Sequence, residues 1–273
     1  MRALFFLAFI ISGILVGCLE FKNSVFDTHT EMTRDWNANF QIPTYNLAGG
    51  DVVRFALFTD SHQNYQDLDD TINVINESGS DFAINLGDFT DVGTRDEYEI
   101  FHAFLDDLTI PSWIIPGNHD LATAKTKLFQ KVYGTENSSR VTSFGKMIFW
   151  NSNALELRPA TADLDFLDQE VSTASTTEPV FIFQHQDPIN ALTYTAAEQA
   201  RITTILNSHP QVLVFHGHLH RFNMSSVGAT ALTFQINRVE GVKWAYVEVD
   251  NANFRVFYCT KKKCEKVYEA PTI

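Results

Sequence analysis

Five short segments rich in metal-binding side chains each follow an apolar run of the chain. They read Asp60-Ser61-His62, Gly87-Asp88, Gly117-Asn118-His119-Asp120, His185 and Gly217-His218-Leu219-His220. The donor atoms belong to carboxylates, imidazoles and one amide, a set without thiols that suits Zn, Mn, Fe or Ni. Because these donors outnumber the ligands that one ion needs, we expect a pair of ions.

The apolar runs predict strands, and amphipathic stretches between them predict helices. In the first half, strands are predicted at 52–59, 82–86 and 112–115, with helices at 66–78 and 94–108. In the second half, strands are predicted at 147–150, 180–183, 212–215, 229–235 and 243–249, with helices at 163–173 and 195–207. Alternation at these lengths indicates βαβ units and mainly parallel pairing.

This alternation predicts an α/β (α+β) fold with two packed mixed β-sheets and helices outside them. With 273 residues and a 45% hydrophobic content, one large domain over residues 51–273 can bury a sizeable core. Each ligand segment lies just past the carboxyl end of a predicted strand. In open α/β sheets that edge forms the ligand crevice, so the five segments are expected to converge there.

The order of the motifs resembles that of the calcineurin-like metallophosphoesterases. The motifs D-x-H, G-D-x-x-D, G-N-H-D, a lone His and G-H-x-H extend over residues 60–220 of this chain. The resemblance implies a four-layer αββα sandwich and hydrolysis of small phosphate esters. Within the family, Glu97-Tyr98 and the segment 115–120 favour the cyclic-nucleotide phosphodiesterase branch.

The resemblance also implies a role for each residue of the motifs. Asp60, His62 and His220 would hold one divalent or trivalent ion, and Asn118, His185 and His218 the other. Asp88 would bridge both ions beside a water or hydroxide that acts as nucleophile. His119 would be the general acid, oriented by Asp120. Where many members have His-His-Pro-Pro, this chain has His185-Gln186-Asp187-Pro188, so the changed residues are expected near the substrate.

The first 18 residues have the pattern of an export signal. Arg2 precedes an apolar run over residues 3–16, and Leu15-Val16-Gly17-Cys18 resembles the lipobox of bacterial lipoproteins. The resemblance implies a signal peptide at 1–17, a lipid on Cys18, and attachment to a bacterial membrane, facing the periplasm or the cell surface. Residues 18–50 are then interpreted as the lipidated Cys and a tether. An ordinary secretory leader with an incidental Cys is the alternative.

Cys259 and Cys264 flank a predicted hairpin tip, Thr260-Lys261-Lys262-Lys263. Export places them in an oxidising compartment, which favours a disulfide between them over a reactive thiol or a metal site. Such a bridge closes a very short loop and stabilises the local ribbon.

The net charge of −13 argues against a nucleic-acid polymer as partner, while a metal pair still allows a phosphate substrate. Two other functions stay open at this point. One is a phosphomonoesterase or nucleotidase that scavenges phosphate. The other is a lipoprotein that binds metal or ligand without turnover. His119 argues against it, because this residue is needed for catalysis and not for metal binding.

Overall fold

The computed structural model describes residues 24, 27–32, 35–158 and 161–273, so the predicted signal peptide 1–17 and Cys18 lie outside the described residues. The first seven strands are β1 (Val53–Phe58), β2 (Phe82–Asn85), β3 (Ser112–Ile114), β4 (Ser138–Thr142), β5 (Gly145–Phe149), β6 (Val180–Phe183) and β7 (Val212–His216). The remaining five are β8 (Asn223–Val227), β9 (Ala231–Gln235), β10 (Trp244–Val249), β11 (Asn253–Cys259) and β12 (Cys264–Pro271). The α-helices are α1 (Tyr65–Glu77), α2 (Arg95–Leu105), α3 (Thr126–Val132), α4 (Leu164–Ser172) and α5 (Ala196–Leu206).

Helices α1, α2, α4 and α5 begin where polar side chains accept hydrogen bonds from the first free backbone N–H groups. Asn64 accepts a hydrogen bond from Asp67 N at the start of α1. Helices α2 and α5 begin with reciprocal capping boxes, formed by Thr94 with Glu97 and by Thr195 with Glu198. Such caps fix the first turn and contribute about 1 kcal/mol each.

The twelve strands form two six-stranded mixed sheets. The first has the order β12-β11-β10-β1-β2-β3, with β1, β2 and β3 parallel. The second has the order β4-β5-β6-β7-β9-β8, with β5, β6, β7 and β9 parallel. Parallel strands end at the same edge of their sheet, so the loops after β1, β2 and β3, and those after β6 and β7, lie side by side.

Three hydrophobic clusters divide the molecule into layers. The cluster between the sheets is rich in aromatic rings, including Phe55, Phe183 and Phe215. A second cluster joins α1, α2 and α3 to the outer face of the first sheet, and a third joins α4 and α5 to the outer face of the second. The predicted four-layer αββα architecture is therefore confirmed.

Three elements were not predicted from the sequence. Strands β4 and β8 lie at the two edges of the second sheet, where β4 is mostly half-buried and β8 mostly exposed; both are largely polar, so neither shows an apolar pattern. The short helix α3 carries only three buried residues, Leu128, Phe129 and Val132. These elements form because the neighbouring core supplies their contacts.

Part of the predicted tether packs on the domain. Asn37 donates to Ile114 O and accepts from Ile114 N, both at 2.9 Å, and so satisfies the free edge of β3. Trp36 Nε1 donates to Ser112 O at 3.2 Å, and Phe40 is buried in the core between the sheets. A free tether would leave these groups in solvent. The interpretation of 18–50 as a tether is therefore corrected for residues 36–40, which pack on the domain.

The hairpin of β11 and β12 is closed by a disulfide between Cys259 and Cys264, which face each other in the strand register. The predicted pairing of these two cysteines is thus present in the structure. Across the described parts of the chain, no helix has both the length and the apolar character needed to cross a bilayer.

Candidate metal centre

The ligand segments meet at one edge of the paired sheets, and backbone hydrogen bonds join them. Asp60 N donates to Gly87 O at 3.0 Å, and His62 N donates to Asp88 O at 3.1 Å. Gly217 N donates to His185 O at 3.1 Å. His218 N reaches across to the carboxylate of Asp60, at 3.1 Å from Oδ2, and so links the segments of the two sheets. Hydrogen bonds therefore join the ligand segments that begin at Asp60, Gly87, His185 and Gly217.

Six of the predicted ligands form two clusters of three. Asp60, His62 and His220 form one, and Asp88, His185 and His218 form the other, with the ligand atoms of each cluster within 4.8 Å of one another. Asp88 lies between them, because its Oδ2 is 3.0 Å from His185 Nε2 and 4.0 Å from His62 Nε2. This is the arrangement expected for two neighbouring ions that share Asp88.

Five of these residues have a left-handed backbone, which non-glycine residues seldom adopt. They are Asp60 (φ 53°), His62 (φ 46°), Asp88 (φ 52°), His218 (φ 75°) and His220 (φ 56°). Such a conformation costs about 1 kcal/mol or more per residue and persists only where surrounding contacts impose it. Among the described residues, three other non-glycine positions share it, so the strain is concentrated at the candidate site.

The motif glycines allow the loops to approach each other. A Cβ at Gly117 would lie 2.1 Å from Asp88 Oδ1, and one at Gly217 would lie 2.4 Å from Asp60 Oδ2. Both contacts are far shorter than a van der Waals distance. The glycines of the G-N-H-D and G-H-x-H motifs therefore let two aspartates reach positions that any side chain would block.

The imidazole rings of His185 and His62 are held at Nδ1, and their Nε2 atoms face Asp88. His185 Nδ1 lies 2.8 Å from Leu86 O, and His62 Nδ1 lies 3.1 Å from Thr90 O and 3.0 Å from Asp91 Oδ1. The opposite nitrogen of His62, Nε2, is buried without a hydrogen bond, and that of His185 lies 3.0 Å from Asp88 Oδ2. Carbonyl or carboxylate contacts on the far nitrogen are typical of metal-binding histidines.

The electrostatics of the second cluster favour a cation. Burial alone would raise the pKa of Asp88, but the adjacent His185 outweighs it and holds the pKa at about 2. Burial lowers the pKa of His218 to about 4, which leaves its ring neutral at pH 7. Its buried Nδ1 also has no hydrogen-bond partner. An ionised carboxylate beside the neutral ring of His218, whose Nδ1 is unpaired, fits a metal ion of the kind predicted.

His119 lies at the same edge but is oriented by a residue other than the predicted one. Its Nδ1 is 2.5 Å from the carbonyl oxygen of Asp91, and its ring lies 4.8 Å from that of His62, measured between centroids. Its backbone N–H donates to Asp88 Oδ1 at 2.9 Å. The sequence leaves Asp91 open between turn capping and support of the metal ligands. In the structure its carbonyl orients the candidate acid.

Asp120 holds two loops of the site together and makes no hydrogen bond to the His119 ring. Its carboxylate is fully buried and accepts hydrogen bonds from Asp88 N, Gly117 N, Thr90 N and Thr90 Oγ1, all at 2.8–2.9 Å. Burial and the charge of Asp88 raise its pKa to about 7. The prediction that Asp120 orients His119 is corrected: Asp120 fastens the loop of Asp88 to the loop of Asn118.

Gln186, in the segment that departs from the family pattern, contacts a candidate metal ligand. Gln186, expected near the substrate, is buried, and its Nε2 donates to Asn118 Oδ1 at 3.0 Å. Ser152 Oγ accepts from the backbone N–H groups of both His185 and Gln186. Gln186 directly follows the motif residue His185, so its place in the sequence indicates a role near the site. Ser152 lies outside every motif, so the sequence does not indicate its role.

The matches to known proteins agree with this geometry. The sequence profile described as Calcineurin-like phosphoesterase matches residues 53–222. The chain is 26% identical over 170 residues to a 3',5'-cyclic-nucleotide phosphodiesterase of Nostoc sp., covering 57% of this chain and 64% of that protein. It is 27% identical over 167 residues to a probable glycerophosphodiester phosphodiesterase of Arcobacter nitrofigilis, covering 52% and 57%. In both cases less than two-thirds of the relative's length is spanned.

A solved structure shares the fold at low sequence identity. The dimetal phosphatase from Danio rerio superposes with a TM-score of 0.63 and 13% identity, covering 79% of this chain and 98% of that one. Its likeness concerns the fold. Since the family profile spans more than half of the residues, the chain belongs to the calcineurin-like phosphoesterase family.

Proposed function

We propose that the protein is a dinuclear-metal-dependent hydrolase of small phosphate esters, with phosphodiesters as the preferred class. The observation that carries this proposal is the pair of three-residue clusters that adjoin at Asp88, with His119 beside them. The two relatives named as phosphodiesterases support diesters over monoesters. Phosphomonoester hydrolysis and metal binding without turnover remain the outcomes that the assay below separates.

The residues of the site have separable tasks in this proposal. Asp60, His62 and His220 would hold one ion; Asp88, His185, His218 and Asn118 would hold the other, with Asp88 shared. Two bound dications supply Lewis acidity and activate a water near neutral pH. Only Asp60 and Asp88 are charged among these ligands, so the loaded site keeps a net positive charge that attracts a phosphate ester.

His119 would protonate the leaving oxygen. The carbonyl of Asp91 accepts from Nδ1–H, which leaves Nε2 as the nitrogen that exchanges a proton with the substrate. A protonated ring donates from Nε2 as charge develops on the departing oxygen.

The test compares two chromogenic substrates on Mn-loaded protein: p-nitrophenyl phosphate and bis-p-nitrophenyl phosphate. We expect turnover of the diester to exceed that of the monoester. His119→Ala should lower kcat by about 10²–10⁴-fold with unchanged metal content. His29→Ala, an exposed histidine outside the motifs, is the matched control.

Two results would contradict the proposal. Absence of turnover on either substrate, with two ions bound, would favour a binding protein. Loss of the ions in His119→Ala would show that His119 is a ligand and would remove it as the acid.

We further propose that the protein is exported and attached to a bacterial membrane through a lipid on Cys18, with 18–50 leading into the domain. The lipobox resemblance at 15–18 and the disulfide between Cys259 and Cys264 support export, because disulfides persist in oxidising compartments.

A further inference from the structure

Gln186 lies at the centre of a buried chain of side-chain hydrogen bonds that ends on a candidate metal ligand. Its side-chain oxygen Oε1 accepts from Thr193 Oγ1 at 2.8 Å, and its Nε2 donates to Asn118 Oδ1 at 3.0 Å. Gln186 and Thr193 are both buried, at 2% and 3% exposure. Solvent therefore does not compete for either end of this amide group.

The direction of the Gln186 amide is set at both ends. The Thr193 hydroxyl donates to Oε1, while Nε2 faces two oxygens, Asn118 Oδ1 at 3.0 Å and Asn153 Oδ1 at 3.4 Å. Asn153 cannot turn over freely, because its Nδ2 already donates to Pro116 O and to Asn151 Oδ1. An inverted Gln186 would thus place oxygen against the oxygen of Asn153.

The backbone of Gln186 is equally fixed. Its N–H donates to Ser152 Oγ at 2.9 Å, and its carbonyl accepts from Gln184 Nε2 at 2.6 Å. A side chain held at its backbone, its donor and its acceptor has no alternative rotamer without breaking buried hydrogen bonds. Each such loss costs about 1–3 kcal/mol.

An asparagine ligand needs such support for a physical reason. Its amide presents an oxygen or, after rotation by about 180°, an NH2 group of nearly the same shape. The oxygen binds a cation, whereas the NH2 group repels it. Carboxylate ligands do not have this ambiguity, so Asn118 is the ligand of this site whose direction must be imposed by a neighbour.

We propose that Gln186 is a positioning residue for Asn118, which it keeps turned with its oxygen available to the ion held by Asp88, His185 and His218. This inference rests on the proposed function. The Nε2–H group of Gln186 occupies one lone pair of Asn118 Oδ1 and leaves the other for the metal. Thr193 belongs to the same device, because its hydroxyl sets the direction of Gln186.

The test measures metal affinity, with catalysis as a second readout. Gln186→Met keeps a similar volume but removes the donor, and Thr193→Val removes the hydroxyl without changing the shape of the side chain. Thr193→Ser is the conservative variant. Asn207→Leu is the control, since this side-chain amide bonds Thr203 O and Val227 O at the opposite end of the second sheet.

Calorimetric titration with Mn²⁺ should show two binding steps in the unaltered protein. We expect Gln186→Met to weaken one step by about 10–100-fold and leave the other unchanged, as outer partners of metal ligands do. Thr193→Val should weaken the same step, while Thr193→Ser and Asn207→Leu should retain both affinities. With Co²⁺, the absorption bands of the weakened site should change shape in Gln186→Met, which a purely structural role would not cause.

Two outcomes overturn the inference without touching the proposed function: both affinities survive in Gln186→Met and Thr193→Val, or Asn207→Leu weakens the same step equally. If the unaltered protein binds fewer than two ions, the proposed function fails first. The two failures are thus distinguishable in one set of titrations.

Discussion

At the residue scale, the site depends on side chains that are held in unfavourable conformations by their neighbours. Left-handed backbone at Asp60, Asp88 and His220 is tolerated because the adjoining loops bond to each other and because Gly117 and Gly217 leave room. The sequence predicted which residues gather here from their types and order. It could not predict the partners of Asp120 or Gln186, since the direction of a buried side chain depends on loops distant in sequence.

The shared position of Asp88 predicts that its charge serves both ions. In Asp88→Asn, the carboxylate facing His185 and His62 becomes a neutral amide, so occupancy should fall at both sites. Metal content of the purified variant, measured by plasma mass spectrometry, checks this. Asp70→Asn, a carboxylate paired with Lys261 at the surface, is the control. Loss of a single ion, or of none, would exclude Asp88 as the bridge.

At the element scale, the start of α2 supports the candidate site. The Glu97 carboxylate accepts from Thr94 N and Thr94 Oγ1 within the helix cap, and from Asp91 N in the loop before it. Asp91 in turn contacts His62 and His119. The cap and the loop are therefore one unit.

This unit gives stability a defined dependence on pH. Burial acts to raise the pKa of Glu97, but the hydrogen bonds from Thr94 and Asp91 outweigh it and lower the pKa below its ordinary value of 4.5. A lowered folded-state pKa means that the stabilisation is complete above pH 4.5 and is lost as pH falls through the folded-state value. Glu97→Gln should be less stable at pH 7 by about 2 kcal/mol.

Urea denaturation of chelator-treated protein at pH 7 and below pH 4 measures this difference. We expect the gap between the unaltered protein and Glu97→Gln to narrow on the acidic side. Glu99→Gln, two residues further along α2 and half-exposed, should show little difference at either pH. A gap that stays constant over this range would show that the charge of Glu97 contributes nothing to folding.

At the scale of the whole molecule, the elements that the sequence predicts are those that are deeply buried. Runs such as β6, in which every residue is buried, were predicted at their observed positions, because a strand covered on both faces must be apolar throughout. Strands β4 and β8, at the edges of the second sheet, have no such requirement and left no pattern. The same reasoning explains why the sequence of residues 36–40 indicates a tether: only Phe40 among them is apolar and deeply buried, and its contacts are with distant strands.

The proposed membrane attachment makes a prediction for the full chain in a bacterial host. Lipid on Cys18 would retain the protein in the membrane fraction, where several acyl chains hold it stably. Cys18→Ser should therefore shift it to the soluble fraction or leave the signal segment uncleaved, while phosphodiester turnover of the purified domain is unchanged. Fractionation with mass spectrometry of the N-terminal peptide provides the measurement. Cys259→Ser, which breaks the distant hairpin disulfide, should leave the fractionation as it was. If the unaltered protein is soluble and its N-terminal peptide carries no lipid, the ordinary secretory leader is the correct interpretation.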